Sequence, residues 1–396
     1  MQESKREFIK KVGFLGAGGM FAGLSSINGQ PIRAGAENSS VFNVKDFGAK
    51  GDGIASDSAA IQKALDAAGE VQGVAYFPSG NYRCHDLKVH SHTMVLAEPK
   101  WAYGPDADAV LTIDNDNANC VLDITDGIGI HIRGISLRGN PEASKIQHGI
   151  FQNNVEKRWV DSIPVIDEVS VQSFSGNGVY FIKGKIMIIR RSIFKNNQGH
   201  GVSIHDGGDG FVMDNQFSEN GKCGFKTEDS GASIAFTANR LDRNGEYGLY
   251  LSGGANWHHT NIGMSGWSVT GNSFDGNGGA AVYANRLIFC TFTGNVFSRN
   301  GRNASGLTEG TAESCHLLIQ NCKGITVTGN TGWAGRNDDG SGALTPNYAF
   351  RFTNNSCSVI AANAFSEGYV TDMYVNKGSA FPSDFQFVNN IGSPRS

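Results

Sequence analysis

Positive charge, proline and long apolar runs are all scarce in this chain, and each shortage removes a class of protein. Lysine and arginine number 33 against 37 acidic residues, a net charge of −4. There is therefore no basic excess of the kind that marks a nucleic-acid-binding surface. Only 9 prolines and 18% charged residues stand beside 39% hydrophobic residues, which is not the composition of a disordered chain. No apolar run is long enough to span a bilayer, so no membrane span is expected in the mature chain. The cysteines Cys84, Cys120, Cys223, Cys290, Cys315, Cys322 and Cys357 are odd in number and contain no CxxC pair. That implies neither a disulfide framework nor a zinc site, and most are expected to be small buried residues.

What the chain has in abundance is glycine, 53 residues, set in a repeat. The stretch NQFSENGKCGFKT at 215–227 is answered by NRLDRNGEYGLYL at 239–251. Aligned on its first position, the unit begins at Ser192, Asn215, Asn239, Asn272 and Asn295, with looser copies from Asn330 and Asn363. Two places on stand Phe194, Phe217, Leu241, Phe274 and Phe297, and five places on stand Asn197, Asn220, Asn244, Asn277 and Asn300. A period in the low twenties held in several columns marks a solenoid of stacked units. Leucine-rich repeats would show a leucine ladder, whereas these columns are Asn, Phe and Gly beside short β-rich runs such as WSVTGN and ITVTGN. Each unit is thus read as one turn of a parallel β-helix. Asparagine amides would bond from turn to turn, glycine would serve where φ is positive, and the Phe column would fill the core.

Residues 1–36 form an expected export segment: SKREFIKK precedes the Gly-rich VGFLGAGGMFAGL, and Ala34-Gly35-Ala36 offers a small-x-small cleavage site. The segment resembles a twin-arginine signal with Lys5 in place of the first arginine. Residues 37–396 then make one elongated domain, expected to act outside the cytoplasm.

The mature start, about 41–85, carries VFNVKDFGAKGDGIASDSAAIQKALDAAG followed by GVAYFPSGNYRC. Asp46-Phe47-Gly48-Ala49, Gly51-Asp52-Gly53, Asp57, Ile61-Gln62 and Phe77-Pro78-x-Gly80-x-Tyr82 resemble the opening of the pectate-lyase-like superfamily. That superfamily includes rhamnogalacturonase and epimerase-like domains and several phage tailspikes. The resemblance implies an all-β fold, a single right-handed parallel β-helix with a short N-terminal capping helix. Ser56 or Asp57 can N-cap that helix, whose Ile61, Ala64, Leu65 and Ala68 share one face.

Function must be sought on the outside of the coils. The strand after each Asn-Gly turn alternates in and out, with Val179/Phe181, Val202/Ile204, Phe225/Thr227, Leu249/Leu251 and Val282/Ala284 as the inward pairs. This leaves an outward column of Phe151, Tyr180, Ser203, Lys226, Tyr250, Tyr283, Leu318, Arg351 and Tyr374. Beside it runs a second column that includes His205, Glu228, Ser252, Asn285 and Gln320. Aromatic plates interleaved with polar groups suit a chain of sugar rings, because C–H faces pack on aromatics while hydroxyls take hydrogen bonds. Tyr180, Tyr283, Asn285, Arg351, Tyr374 and the loop residue Arg336 are the candidates for substrate binding.

Three longer connections, between Ser252 and Trp267, Asn300 and His316, and Trp333 and Tyr348, would wall this face. They supply His258, His259, Arg302, Glu309, Glu313, Arg336, Asp338 and Asp339. The NDDGSG run within the last reads first as an Asp/Gly turn, secondly as a calcium loop.

Two chemistries fit the outward residues. β-Elimination on a uronic-acid polymer needs a base, a proton donor and a group that neutralises the sugar carboxylate. Tyr250 or Lys226 could be base and acid, and Arg351 or His205 the neutraliser. Calcium assists similar lyases, although no ligand cluster here demands it. Hydrolysis needs two carboxylates flanking one bond, for which Glu228 with Asp206 or Asp209 is the available set. Gly199-His200-Gly201 resembles the histidine motif of the polygalacturonases, but the Asp pair of that family has no counterpart in the preceding repeat. The expectation is β-elimination centred on Lys226, Tyr250, His205, Glu228 and His200. Hydrolysis is the alternative, and a third class comprises an adhesin-like polysaccharide-binding β-helix or an epimerase.

Overall fold

The computed structural model describes residues 40–98, 108–154, 161–229, 233–254, 264–302, 314–369, 371–378 and 380–394. The expected export segment 1–36 and the loop residues His258, His259, Glu309 and Glu313 lie outside them. Among the described residues no helix is long and apolar enough to cross a membrane.

Each repeat folds as a rung of three short parallel strands, and equivalent strands stack into two sheets of 13 strands and a third of 11. The register is one residue opposite its repeat-mate, as in Phe194 beside Phe217 and Lys226 beside Tyr250. The inward columns form one continuous core, in which Phe181, Ile204, Phe225, Leu249 and Val282 are fully buried. Phe194 stacks on Phe217 with ring centroids 5.2 Å apart, and Phe274 on Phe297 at 5.1 Å. The sheet faces are thus held together by side chains that repeat at the rung spacing.

The corners explain the asparagines. At the turn into the second sheet the residue before each Asn, here Asp214, Ala238, Gly271 and Gly294, lies in the left-handed region. The Asn that follows is buried, and its amide replaces the sheet bonding that the corner interrupts. Asn239 Oδ1 accepts from Asn215 N (3.1 Å) and Asn215 Nδ2 (3.0 Å), while Asn239 Nδ2 donates to Val212 O (2.9 Å) and Asn272 Oδ1 (3.1 Å). A second ladder at the turn into the third sheet runs Asn197, Asn220, Asn244, Asn277, Asn300 with Nδ2···Oδ1 distances of 2.8–2.9 Å.

Two of the Asn-Gly glycines, Gly221 and Gly245, have another role than the sequence suggests, whereas Gly301 has the expected positive φ of 75°. Gly221 and Gly245 are not among the positive-φ residues. A Cβ at Gly245 would instead lie 2.2 Å from Gly221 O, and one at Gly221 would lie 2.4 Å from Gln198 O. They are there because successive corners approach backbone to backbone.

The first rungs are closed by helix α1, Ser58–Glu70, which buries Ile61, Ala64, Leu65 and Ala68. Asp57 occupies the N-cap position but its side chain does not cap. Its carboxylate accepts from Lys50 N (2.7 Å) and Gly51 N (3.0 Å), tying the preceding loop to the helix start. Six of the seven cysteines are buried and only Cys357 is exposed.

Candidate functional site

The third sheet presents the predicted outward column in register from Phe151 through Tyr180, Ser203, Lys226, Tyr250, Tyr283 and Leu318 to Arg351. The last member departs from it. In the strand Asp372–Asn376 it is Val375 that pairs with Arg351, while Tyr374 pairs with Phe350. The Tyr374 ring packs 4.7 Å from Phe387 and 5.9 Å from Phe381, in an aromatic group at the last rungs rather than in the ladder.

Polar groups converge on two rungs of this face. Lys226 Nζ lies 3.0 Å from Glu228 Oε2, and His205 Nδ1, one rung back, lies 3.8 Å from Glu228 Oε1. Glu228 thus stands between two cationic or proton-bearing groups, and Asp229 lies 3.9 Å from the same His205 nitrogen. Lys226 Nζ also sits 5.2 Å from the centre of the Tyr250 ring, within cation–π range. Tyr250 stacks on Tyr283 with centroids 4.6 Å apart and planes 4° from parallel. Gln320 Nε2 donates to Tyr283 Oη at 2.6 Å, and Asn285 Nδ2 to Ser252 Oγ at 3.4 Å. Burial, with the charge of Glu228 adding to it and a bond to Ser252 offsetting part, raises the Tyr250 phenol above its ordinary value. It therefore carries its proton at neutral pH and can donate it.

The pair of tyrosines is propped from beneath by an apolar cluster separate from the main core. Cys223, Tyr247, Ala280, Cys315 and Leu318 are buried together, with Tyr250, Tyr283 and Tyr348 packed on them. Four of the five belong to a third outward column, three residues before the first, which also contains His148, Asn177 and His200. The sequence reading picked out only His200 of it. In this column side chains bond to the next rung's backbone. His148 Nδ1 accepts from Asn177 N (3.0 Å), Asn177 Oδ1 from His200 N (2.8 Å), and His200 Nδ1 from Cys223 N (3.0 Å). Accepting at Nδ1 puts the imidazole proton on Nε2 in both histidines. Burial lowers His148 to about 4, and burial with the charges of Lys226 and Lys222 lowers His200 to about 3. Both are neutral donors.

His200, Cys223 and Glu246 offer ligand atoms within 4.8 Å of one another, the one such metal-capable group among the described residues. Its donors are already committed. Nδ1 of His200 holds the Cys223 amide, and the Cys223 thiol, kept protonated by burial, donates to Glu246 Oε2 at 3.4 Å. A metal would have to displace both bonds, so the group reads as a hydrogen-bonded support for the groove floor.

The remaining predicted residues are spread out. Arg351 stands in the right column but three rungs past Tyr250, roughly 14 Å at the usual strand spacing. It cannot neutralise the carboxylate of a sugar lying over Lys226 and Tyr250. Arg336 bonds Gly342 O within its own loop, and its carbonyl accepts from Arg299 at 3.4 Å. Arg299 pairs with Asp275 of the second sheet, so Arg336 is anchored beside that sheet and not in the column. Asp339 accepts from Ser341 N (2.9 Å) and Oγ (2.7 Å), and Asp338 pairs with Arg299. The NDDGSG run is the turn its composition suggests. Of the acid partners considered for Glu228, Asp206 lies 3.9 Å from Lys183 Nζ, and Asp209 belongs to the first sheet.

Comparison with known proteins agrees with this architecture. Residues 41–96 match the family described as rhamnogalacturonase A/epimerase, pectate lyase-like. The right handed beta helix region matches residues 112–273 and 148–332. Mannuronan C5-epimerase AlgE1 of Azotobacter vinelandii is 27% identical over 235 residues, 54% of this chain and 16% of its own length. Alginate lyase 7 of the same organism is 60% identical over 43 residues, 11% of this chain and 5% of its own length. The chain thus spans a minor part of the length of the curated relatives it matches. Among solved structures, the A-module of the A. vinelandii epimerase AlgE6 superposes with a TM-score of 0.62 at 17% identity, covering 90% of this chain and 100% of the module. At that identity the likeness is one of fold.

Proposed function

Because the chain belongs to the right-handed β-helix family, with a pectate-lyase-like opening, we propose that it acts on a uronic-acid polysaccharide of the mannuronan type by removing the proton at C5. The observation that carries this reading is the junction of Lys226, Glu228, His205 and Tyr250 on adjacent rungs. Epimerisation and β-elimination share this first step. The C–H next to the carboxylate gives its proton to a base, and the charge that develops on the carboxylate must be met by a cation or a hydrogen-bond donor.

Lys226 meets that charge. His205, oriented by Glu228, is the base, since imidazole is the side chain best suited to take and return a proton near neutrality. The protonated Tyr250 is the donor, and Tyr283, fixed by Gln320, is the plate on which a sugar ring rests. If Tyr250 protonates the O4 leaving group, the bond breaks and the product is an unsaturated uronate. If a proton returns to C5 from the opposite face, the product is the epimer. The names of the relatives favour epimerisation as well as elimination. Hydrolysis is less well supported, because Glu228 is engaged on both sides, by His205 and by Lys226. Export, expected from residues 1–36, suits a polymeric substrate.

The test offers poly-mannuronate to the protein in D2O, with and without chelator, following deuterium at C5 by NMR and the ultraviolet absorbance of unsaturated uronate. Deuterium without absorbance identifies an epimerase, and absorbance a lyase. The chelator arm decides whether calcium takes part. Lys226→Ala and Tyr250→Phe are each expected to lower kcat/KM by about a hundredfold or more. New reducing ends with neither signal, or full activity in both variants, would overturn the assignment.

A further inference from the structure

The outward face carries a second aromatic platform, apart from the Lys226/Tyr250 junction. Phe151 and Tyr180 are consecutive in the first column, with ring centroids 6.0 Å apart. His148 stacks parallel to Phe151 at 5.9 Å, with planes 11° apart, and lies 4.9 Å from Tyr180. All three side chains are partly exposed. Stacking between neighbouring strands would account for two aromatic rings. It does not account for the histidine, whose Nδ1 is fixed by the Asn177 amide and whose Nε2–H makes no hydrogen bond among the described residues. A flat apolar plate beside one oriented neutral donor is what recognises a pyranose ring with its hydroxyls.

The spacing adds to this. Between Tyr180 and Lys226 the column holds only Ser203, small and buried, so the two aromatic platforms are separated by a low floor. Tyr180 is two rungs from Lys226 and three from Tyr250, roughly 10 and 14 Å at the usual strand spacing. One sugar of an extended polymer advances by about the height of one rung. We propose that Phe151, Tyr180 and His148 form a distal saccharide subsite, holding the same uronan chain two to three residues from the unit that reacts over Lys226. The inference rests on the uronan reading given above. It makes affinity depend on chain length, with short oligomers held at the reacting centre alone.

Binding of oligomannuronates from trimer to octamer to the full chain, measured by calorimetry, tests it, with turnover of the same series followed in parallel. Wild-type affinity should rise in a step of about tenfold once the oligomer spans both platforms. Phe151→Leu, which keeps an apolar strand residue but removes the ring plane, and Tyr180→Ala should abolish the step while leaving trimer binding unchanged. Parallel length curves for wild type and variants, or equal weakening at every length, would overturn the subsite. A length step without C5 exchange or cleavage would leave the subsite standing and remove the catalytic reading. Turnover without a step would do the reverse, and no binding at any length would remove both.

Discussion

Asn239→Ala is the sharpest test of how the corners are held. The side chain is 2% exposed and makes four hydrogen bonds, two accepted from Asn215 and two donated, to Val212 O and Asn272 Oδ1. Truncation orphans at least two buried donors, the Asn215 backbone N–H and one hydrogen of its amide. At about 1–3 kcal/mol for each unsatisfied group, the loss should be about 4 kcal/mol. Asn390→Ala is the control. Asn390 accepts the equivalent pair from Asn363, at 3.1 and 2.9 Å, but it is only partly buried. Water can replace the lost acceptor there, so the cost should be about 1 kcal/mol or less. Urea unfolding followed by fluorescence reads this directly, since Trp267 is 1% exposed within the core. The double variant Asn215→Ala/Asn239→Ala should cost less than the sum of the singles, because the orphaned partner is removed with its acceptor. Equal, small losses for Asn239→Ala and Asn390→Ala would refute the claim that the amide ladder holds the corners.

Two further outcomes follow from burial and from close approach. His200 and His316 are held neutral by burial, each at about 3 against an ordinary 6.5, so the unfolded chain binds protons that the folded chain refuses. Their contribution is whole above about pH 6.5 and is lost as the pH falls towards 3. At pH 5 each should cost about 2 kcal/mol, read as a fall in urea midpoint between pH 8 and pH 5, and a flat response would contradict the assignment. The two kinds of glycine should separate in stability. Gly245→Ala drives a methyl to 2.2 Å from a backbone oxygen and should destabilise more than Gly271→Ala, whose φ of +66° costs about 1–2 kcal/mol but whose Cβ meets nothing within 4 Å. The reverse order in unfolding measurements would mean that conformation, not contact, selects these residues.

The fold was legible because each column of the sequence is a column in space. Asn215 and Asn239, or Phe194 and Phe217, recur at the rung spacing and meet one another, so the inward pairs and the outward column could be read by alternation alone. Alternation failed at Tyr374, where the last rung shifts by one residue to place its ring among Phe381 and Phe387. The site was legible in part. His205 beside Glu228 and Lys226 beside Tyr250 follow from register, but distance along the axis does not show in a list of outward residues, and so Arg351 was placed too near. His148, Asn177, Cys223 and Tyr247, which share a column with His200, were missed because each stands just before a glycine and reads as part of a turn. The same alignment that exposed the Asn ladder would have found them. The Lys226–Glu228 contact depends on rotamers, and no sequence pattern carries those.

The asparagine ladders also have a direction. Every amide-to-amide bond in them runs from the Nδ2 of one rung to the Oδ1 of the following rung, so these amides point the same way along the axis. An incomplete stack therefore has two unlike ends: one shows carbonyl oxygens, and the other shows waiting N–H groups turned towards the chain still to come. A rung arriving at that second end brings the acceptor that is missing. Assembly can then proceed outward from the end that α1 closes, in the order in which a ribosome makes the chain.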